Sequence, residues 1–511
     1  MAVTMPAILA SIHAVSMDVR LLCTNIVQSV HTKTLPGKDA RLQFNPYVAE
    51  IEGALGEIRQ TIRETQNILS PIQMLPDEIL GSVFMAAWND GHSELTKTQV
   101  TLRLSHVCQR WRNVSCSIPI LWSEIRLRNG NLSHLCLQRS QGIPLIIALE
   151  EVDPIWDGIM DHGVQNIYAH LSRAHKLVLR VETYDRLREV FHYAKDVPVP
   201  LLEHLVLTSQ RLRETGGVHD FDMTNYAPIS RSPFWDNLSN LIHLEIQCPS
   251  LIRKLSDYRY MLERLSNLQY LKLDVGTFII DVNILEFPSI HLPNLRSLQF
   301  ESFTIKALQS ILGTISAPKL GYLEVNHSED DPMFGSSLRD ALELLEDSTI
   351  LSRINSLDID LGPEECTGFY TMRGYSLQGE CLLKLEREKA VYDRTWNHLD
   401  GFVEVLPKVA KLFIGYGNPP YVDMGRAPSV IELDLGDVDI SVLSTLGRYQ
   451  NLPSIKTLRL GFSDFRHEVK LVTQFPRIKE VFFKCCSNVS RDDIRALSRH
   501  GVKVNIQMAK Q

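Results

Sequence analysis

With 17 histidines and 9 cysteines in 511 residues, the chain has ample means to attack a substrate or hold a metal. Their spacing builds no reaction centre. Cys485 and Cys486 are adjacent and Cys108 and Cys116 stand eight apart, and neither is a zinc or redox spacing. There is no H-E-x-x-H pair, no G-x-S-x-G elbow and no G-x-x-x-x-G-K-[ST] loop. "IGYGNPPYVDMGRAP" lacks the third glycine and the strand–helix setting of a phosphate cradle. His204 and His243 fall inside short strand motifs, where exposure on a strand face is expected rather than metal ligation. The sequence therefore predicts no catalytic, metal or cofactor chemistry, and recognition is what remains.

Recognition chemistry concentrates between residues 75 and 125. "LPDEILGSVF" at 75–84 carries Ile79, Leu80, Val83 and Phe84 as one apolar face, with Asp77 and Glu78 near the helix start, where negative charge is favoured. "LSHVCQRWRNV" follows, with Leu104, Val107, Cys108 and Trp111 at spacings of three and four, flanked by Arg110 and Arg112. "PILWSEI" closes the region and leads towards a first strand. These residues could pack as a private three-helix core, but so small a core is marginal unless it docks on something. Trp and Arg are also the residue types favoured at interface hot spots.

Two kinds of element must position this region. Before it, residues 1–43 form an extension without a clear role. Residues 44–70 read as an amphipathic helix with Val48, Ile51, Leu55, Ile58 and Ile62 on one narrow stripe. That stripe either lies against its own domain or pairs with a second copy. After it, the pattern L-x-x-L-x-L recurs from Leu202, Leu241, Leu268, Leu295, Leu320, Ile354, Val409, Val430, Ile455 and Ile478, with a weaker copy from Ala174. Short strands at this spacing predict an irregular leucine-rich solenoid over 129–511, with parallel strands whose leucines stack rung on rung. Several repeats open on "NL", and the usual asparagine after the strand is mostly missing. The fold class expected is α/β: a helical domain at 71–128, then the solenoid.

The outward side chains of neighbouring strands, Gln269, Lys272, Arg296 and Gln299, are the expected substrate contacts, together with irregular stretches at 209–236, 326–337 and 361–400. "NHSEDDPMFGSS" is acidic and suits a basic partner, and "CLLKLEREKAVYDRTW" reads as an amphipathic helix. A formal net charge of −7 gives no support for nonspecific nucleic-acid binding. No stretch of about 20 apolar residues is present to span a membrane. The N-terminus lacks a basic region and a clean apolar core. Scattered cysteines fit a reducing compartment, the cytosol or nucleus.

The fragments 75–84, 104–114 and 118–125 resemble an F-box, in particular the F-box-like region of the large mushroom-type fungal families. The resemblance is carried by Leu75, Pro76, Glu78, Ile79, Leu80, Val83 and Phe84; by Val107, Cys108, Arg110, Trp111 and Arg112; and by Pro119, Leu121, Trp122 and Ile125. The distance from Phe84 to Val107 exceeds that of compact boxes. The resemblance implies an adaptor whose box binds a Skp1-like protein, and through it a cullin–RING ubiquitin ligase, while the solenoid holds a protein substrate. It implies Leu75, Pro76, Ile79, Leu80, Phe84, Val107, Trp111 and Trp122 as the partner side or its immediate support. The alternative is a leucine-rich-repeat scaffold without a ubiquitination role.

Overall fold

A computed structural model describes residues 37–90, 96–126, 130–150, 168–181, 184–209, 229–248, 254–274, 289–301, 305–327, 349–360, 369–388, 408–417, 428–438, 443–444, 452–461, 465 and 469–507, with scattered residues between 10 and 28. The chain divides into two compact units, residues 1–122 and 123–511. Among the described residues no helix is long and apolar enough to cross a membrane.

In the first unit, helix α1 (Gly37–Leu69) begins earlier than the apolar stripe and carries Pro46 within its first turns. Of its stripe, Val48, Leu55 and Ile62 are exposed while Ile51 and Ile58 are half-buried. A 3-10 turn (Pro71–Met74) leads to α2 (Asp77–Asn89), with Asp77 and Glu78 in its first turn. Next come α3 (Lys97–Ser105) and α4 (Gln109–Ser117), then a second 3-10 turn (Pro119–Trp122). The segment 104–111 is not one continuous helix, as its spacing predicts. It breaks at 106–108, and Cys108 is extended at the cap of α4. Much of the long Phe84–Val107 interval is α3, started by a capping box between Thr96 and Gln99. Its buried face is Thr98, Thr101 and Ser105. An apolar periodicity search passes over such a face.

The second unit is built on a 16-stranded sheet. Its strands are β1 (Glu124–Arg126), β2 (Leu145–Glu150), β3 (Ala174–Val181), β4 (His204–Ser209), β5 (His243–Gln247), β6 (Tyr270–Asp274), β8 (Ser297–Glu301), β10 (Tyr322–His327), β11 (Ser356–Asp360), β12 (Phe369–Tyr375), β13 (Cys381–Glu388), β14 (Lys411–Gly417), β15 (Glu432–Val438), β16 (Thr457–Gly461), β17 (Glu480–Lys484) and β18 (Lys503–Gln507). Strands β7 (Ile290–His291) and β9 (Ile315–Ser316) form a separate pair. Each L-x-x-L-x-L segment becomes one strand, and 241–246, 268–273 and 295–300 are neighbours as expected. β1 joins this sheet, so the second compact unit begins at Ser123.

Stacking supplies the core. Leu205, Leu244, Leu271, Leu298 and Leu323 are paired in register from rung to rung and wholly buried. The "NL" lead-ins now have a physical role. Asn240 donates its side-chain amide to Pro200 O at 2.8 Å, Asn267 to Ser239 O at 2.8 Å and Asn294 to Ser266 O at 3.5 Å. Each rung is thus tied to the one before it at the foot of the strand rather than after it. On β2–β4 the opposite face is buried too, by Ala148, Val178 and Val206 in register.

All pairings in the large sheet are parallel except the two made by β12. It runs antiparallel between β11 and β13, and β13 lies parallel to β10. Residues 381–388 are therefore a strand, not the start of an amphipathic helix. Leu383 and Leu385 are buried while Lys384 reaches Glu324 on β10 at 2.7 Å, and Leu382 on the opposite face is covered as well. The stretches 210–228, 328–337, 361–368, 389–400 and 418–427, which the sequence offers as possible contacts or loops, lie outside the described residues.

Candidate partner-binding surfaces

Helix α2 is apolar on two sides, and the structure separates them. Leu80, Phe84 and Trp88 recur every four residues and are buried. Ile79 and Val83, one position earlier on the wheel, are 50% and 41% exposed. Gly81 lets the 118 turn approach: a β-carbon there would sit 3.1 Å from Ile118 Cδ1. Phe84 packs on the half-buried Trp111, with ring centroids 4.9 Å apart. Trp122 is buried and donates its indole N–H to Ser115 O at 2.8 Å. Thr101 Oγ1 lies 2.7 Å from Leu121 O, fixing the second 3-10 turn to α3.

Of the residues expected on the partner side or as its immediate support, Leu80, Phe84 and Trp122 are interior: Trp122 keeps the supporting place expected of it, whereas Leu80 and Phe84 lie beneath the apolar surface rather than in it. Trp111 and Leu75 are half-buried, and Pro76, Ile79 and Val107 are exposed. Met74 and Val83 join the exposed apolar set. An open groove of about 1060 Å³ runs between α2 and α4, lined by Glu78, Ser82, Met85, Gln109 and Asn113 among others.

Sequence reasoning missed the part played by Arg110. Its guanidinium donates to Asp77 Oδ1 through Nε at 2.9 Å and Nη2 at 2.6 Å. It also donates to the backbone oxygens of Gln73 and Leu75. A single planar fork thus fastens the chain entering α2 to α4. Gln73 adds a contact to Cys108 Sγ at 3.2 Å. The acceptors are mostly backbone carbonyls, which leave no mark in a sequence.

On the sheet, Lys272 and Gln299 do lie on the outward face and pair in register. Lys272 is engaged by Glu301 at 2.9 Å and Glu245 at 3.6 Å. Burial works against its ammonium, but the two carboxylates outweigh it and its pKa sits above the ordinary lysine value. Gln299 Oε1 accepts from the Tyr270 hydroxyl at 2.8 Å. Gln269 and Arg296 are different. They precede the strands, share the parity of Leu271 and Leu298, and are exposed at the foot of the sheet rather than on its outward face. The reason is the strand start, which falls one residue after each of them. Gln269 lines a shallow groove of about 490 Å³ with Asn240, Asn267 and Asn294.

The outward face also holds a column of rings. His175, His204, His243 and Tyr270 follow one another at centroid distances of 5.3, 5.2 and 4.0 Å, the last pair stacked flat. Burial, then the neighbouring His243, His175 and Lys176, lower the pKa of His204 below the ordinary histidine value. His204, His243 and Tyr270 hold the same place in "HLVL", "HLEI" and "YLKL". That repeated position was the available signal.

A search of curated proteins finds no relative of this chain. Among solved structures, a leucine-rich-repeat protein of Leptospira interrogans aligns over 74% of this chain and 99% of its own, at 11% identity and a TM-score of 0.25. Residues 72–128 match the F-box-like family, so the chain carries an F-box-like domain at its N-terminal end.

Proposed function

We propose that the protein is a substrate-recognition adaptor of a Skp1–cullin–F-box ubiquitin ligase, without catalysis of its own, working in the cytosol or nucleus. The observation that carries this reading is the second apolar side of α2. The inner side, Leu80, Phe84 and Trp88, already completes the small core. Ile79 and Val83, with Pro76 at the helix start and Val107 also exposed, remain in an F-box-like domain with no role in that core. An apolar stripe of this kind gains roughly 25 cal/mol per Å² when a partner covers it, before ordering costs. A Skp1-like protein is the partner, and a cullin is reached through it. Kinship with the mushroom-type fungal families belongs to the same proposal and rests on the three-part motif.

The solenoid supplies the substrate side. Lys272 and Gln299 are engaged by their own neighbours, which favours the exposed Gln269 and Arg296 at the foot of the sheet as the first contacts.

The test is calorimetry of the full chain against a Skp1-family protein. Ile79→Asp with Val83→Asp should weaken binding by more than about tenfold, since two charges would be desolvated. Gln269→Glu with Arg296→Glu should leave it unchanged. No binding by the unaltered chain, or equal binding by the α2 variant, defeats the adaptor reading. Binding without ubiquitination of any captured protein would replace it with the scaffold reading.

A further inference from the structure

We propose that His175, Glu203 and His204 form a site for a zinc-class divalent cation on the second unit, bridging β3 and β4. One ligand atom from each of the three residues lies within 4.8 Å of the other two. His175 Nε2 and Glu203 Oε2 are 3.3 Å apart. A tetrahedral ion with bonds of about 2.0–2.2 Å holds its ligands roughly 3.3–3.5 Å from one another. That edge of the tetrahedron is therefore already in place, and the His204 ligand atom lies within 4.8 Å of both other donors.

The backbone fixes the donors. Glu203 N donates to His175 O at 3.0 Å, so the two residues stand side by side at the foot of adjacent strands. His204 is the first residue of β4, in register with Lys176. Its ring is flanked by those of His175 and His243. His243 belongs to a different arrangement: its ring lies flat on Tyr270 and its Nε2 faces Glu245 at 4.0 Å. The side chains of His175 and Glu203 are 40% and 45% exposed, so an ion can reach them from solvent.

The donor set selects the metal. Two imidazole nitrogens and one carboxylate suit zinc, cobalt or nickel, whereas calcium and magnesium require mostly oxygen ligands. Three protein ligands leave a fourth position for water or for a side chain of a bound protein. The site stands apart from the adaptor reading, because it lies on the sheet and not on the box.

The experiment uses the full chain freed of metal with chelator, titrated with Zn²⁺ by calorimetry and with Co²⁺ followed by absorption. The expected result is one equivalent of metal and a Co²⁺ spectrum without thiolate bands. His175→Gln, Glu203→Gln and His204→Gln should each weaken binding by roughly tenfold or more, because each removes a direct ligand. His291→Gln, at an exposed histidine on β7, should not change it. Lys176→Gln should tighten it severalfold by removing a positive neighbour. That gain keeps the test decisive where a ligand variant fails to fold, as judged by melting without metal. Binding that is absent, unchanged in the triple ligand variant, indifferent to Lys176→Gln, or marked by thiolate bands overturns the site.

Discussion

In the first unit the Arg110 guanidinium serves Asp77, Gln73 and Leu75 at once, and the Trp122 indole is tied to Ser115. Among the described residues these contacts are made once, without a repeated copy. In the sheet, by contrast, one contact is made again and again. Asn240, Asn267 and Asn294 reach back one rung each, and leucines at equal register are buried at each step. A small core with varied contacts concentrates its stability in a few residues. A stack of like rungs spreads it, so that damage is felt mainly by nearest neighbours. The first arrangement suits a domain that presents one fixed surface. The second suits a surface whose length and composition vary.

The contrast can be broken from either side, and hydrogen exchange read by mass spectrometry resolves where. Trp122→Ala should have the largest effect, about 3–5 kcal/mol, with protection lost across 77–122 together. Leu271→Ala should cost about 2–5 kcal/mol. Its loss of protection should centre on β5, β6 and β8 and fade towards β16. Uniform loss over the whole sheet would show that the rungs are more strongly coupled than nearest-neighbour stacking allows. Arg110→Lys keeps the charge but removes the fork. It should cost about 1–3 kcal/mol and loosen 71–77 first. Asn267→Ala should cost only about 0.5–1.5 kcal/mol, seen at the feet of β5 and β6.

The smallest effect expected is at Asp434. Burial raises its carboxyl pKa, with Arg459 opposing. A folded pKa above the unfolded one means that its contribution to stability is present at low pH and lost as pH rises through the folded value. Asp434→Asn should therefore raise the melting temperature slightly at about pH 7 and leave it unchanged near pH 3, where the acid is protonated in both states. A stabilisation that persists at low pH would point to the amide's own hydrogen bonds instead.

Much of this architecture was legible from leucine spacing, because a rung that buries alternate residues must write them at alternate positions. The box was legible where aromatic and aliphatic anchors recur, as at Leu80, Phe84, Trp111 and Trp122. Which of Ile79, Leu80, Val83 and Phe84 face outward was not. Four apolar residues at those positions span a broad arc, and only the packed neighbours decide which edge is covered. Helix α3 was hidden because hydroxyls fill its buried face. Residues 381–388 were misread because "CLLKLERE" satisfies both helical and alternating patterns. One of the partners that decides between them, β10, lies about 60 residues earlier, as the Lys384–Glu324 contact shows. The histidines were read singly, whereas the ring contacts of His175, His204 and His243 run from strand to strand.

The reversed strand β12 has a consequence for how such a sheet changes length. β13 is parallel to β10, and β11 is parallel to β14. Two antiparallel steps, β13 to β12 and β12 to β11, cancel, so β11 also points the way β10 does. Strip out the β12–β13 pair and β10 could close directly onto β11, with chain order and direction both intact. A hairpin is thus a direction-neutral insertion: two strands added together leave every rung beyond them facing the same way. The reversal is confined to β12 itself, which is antiparallel to both neighbours, so the strands on its two sides share one direction. Growth by pairs lets this surface acquire a local irregularity without redirecting the later strands.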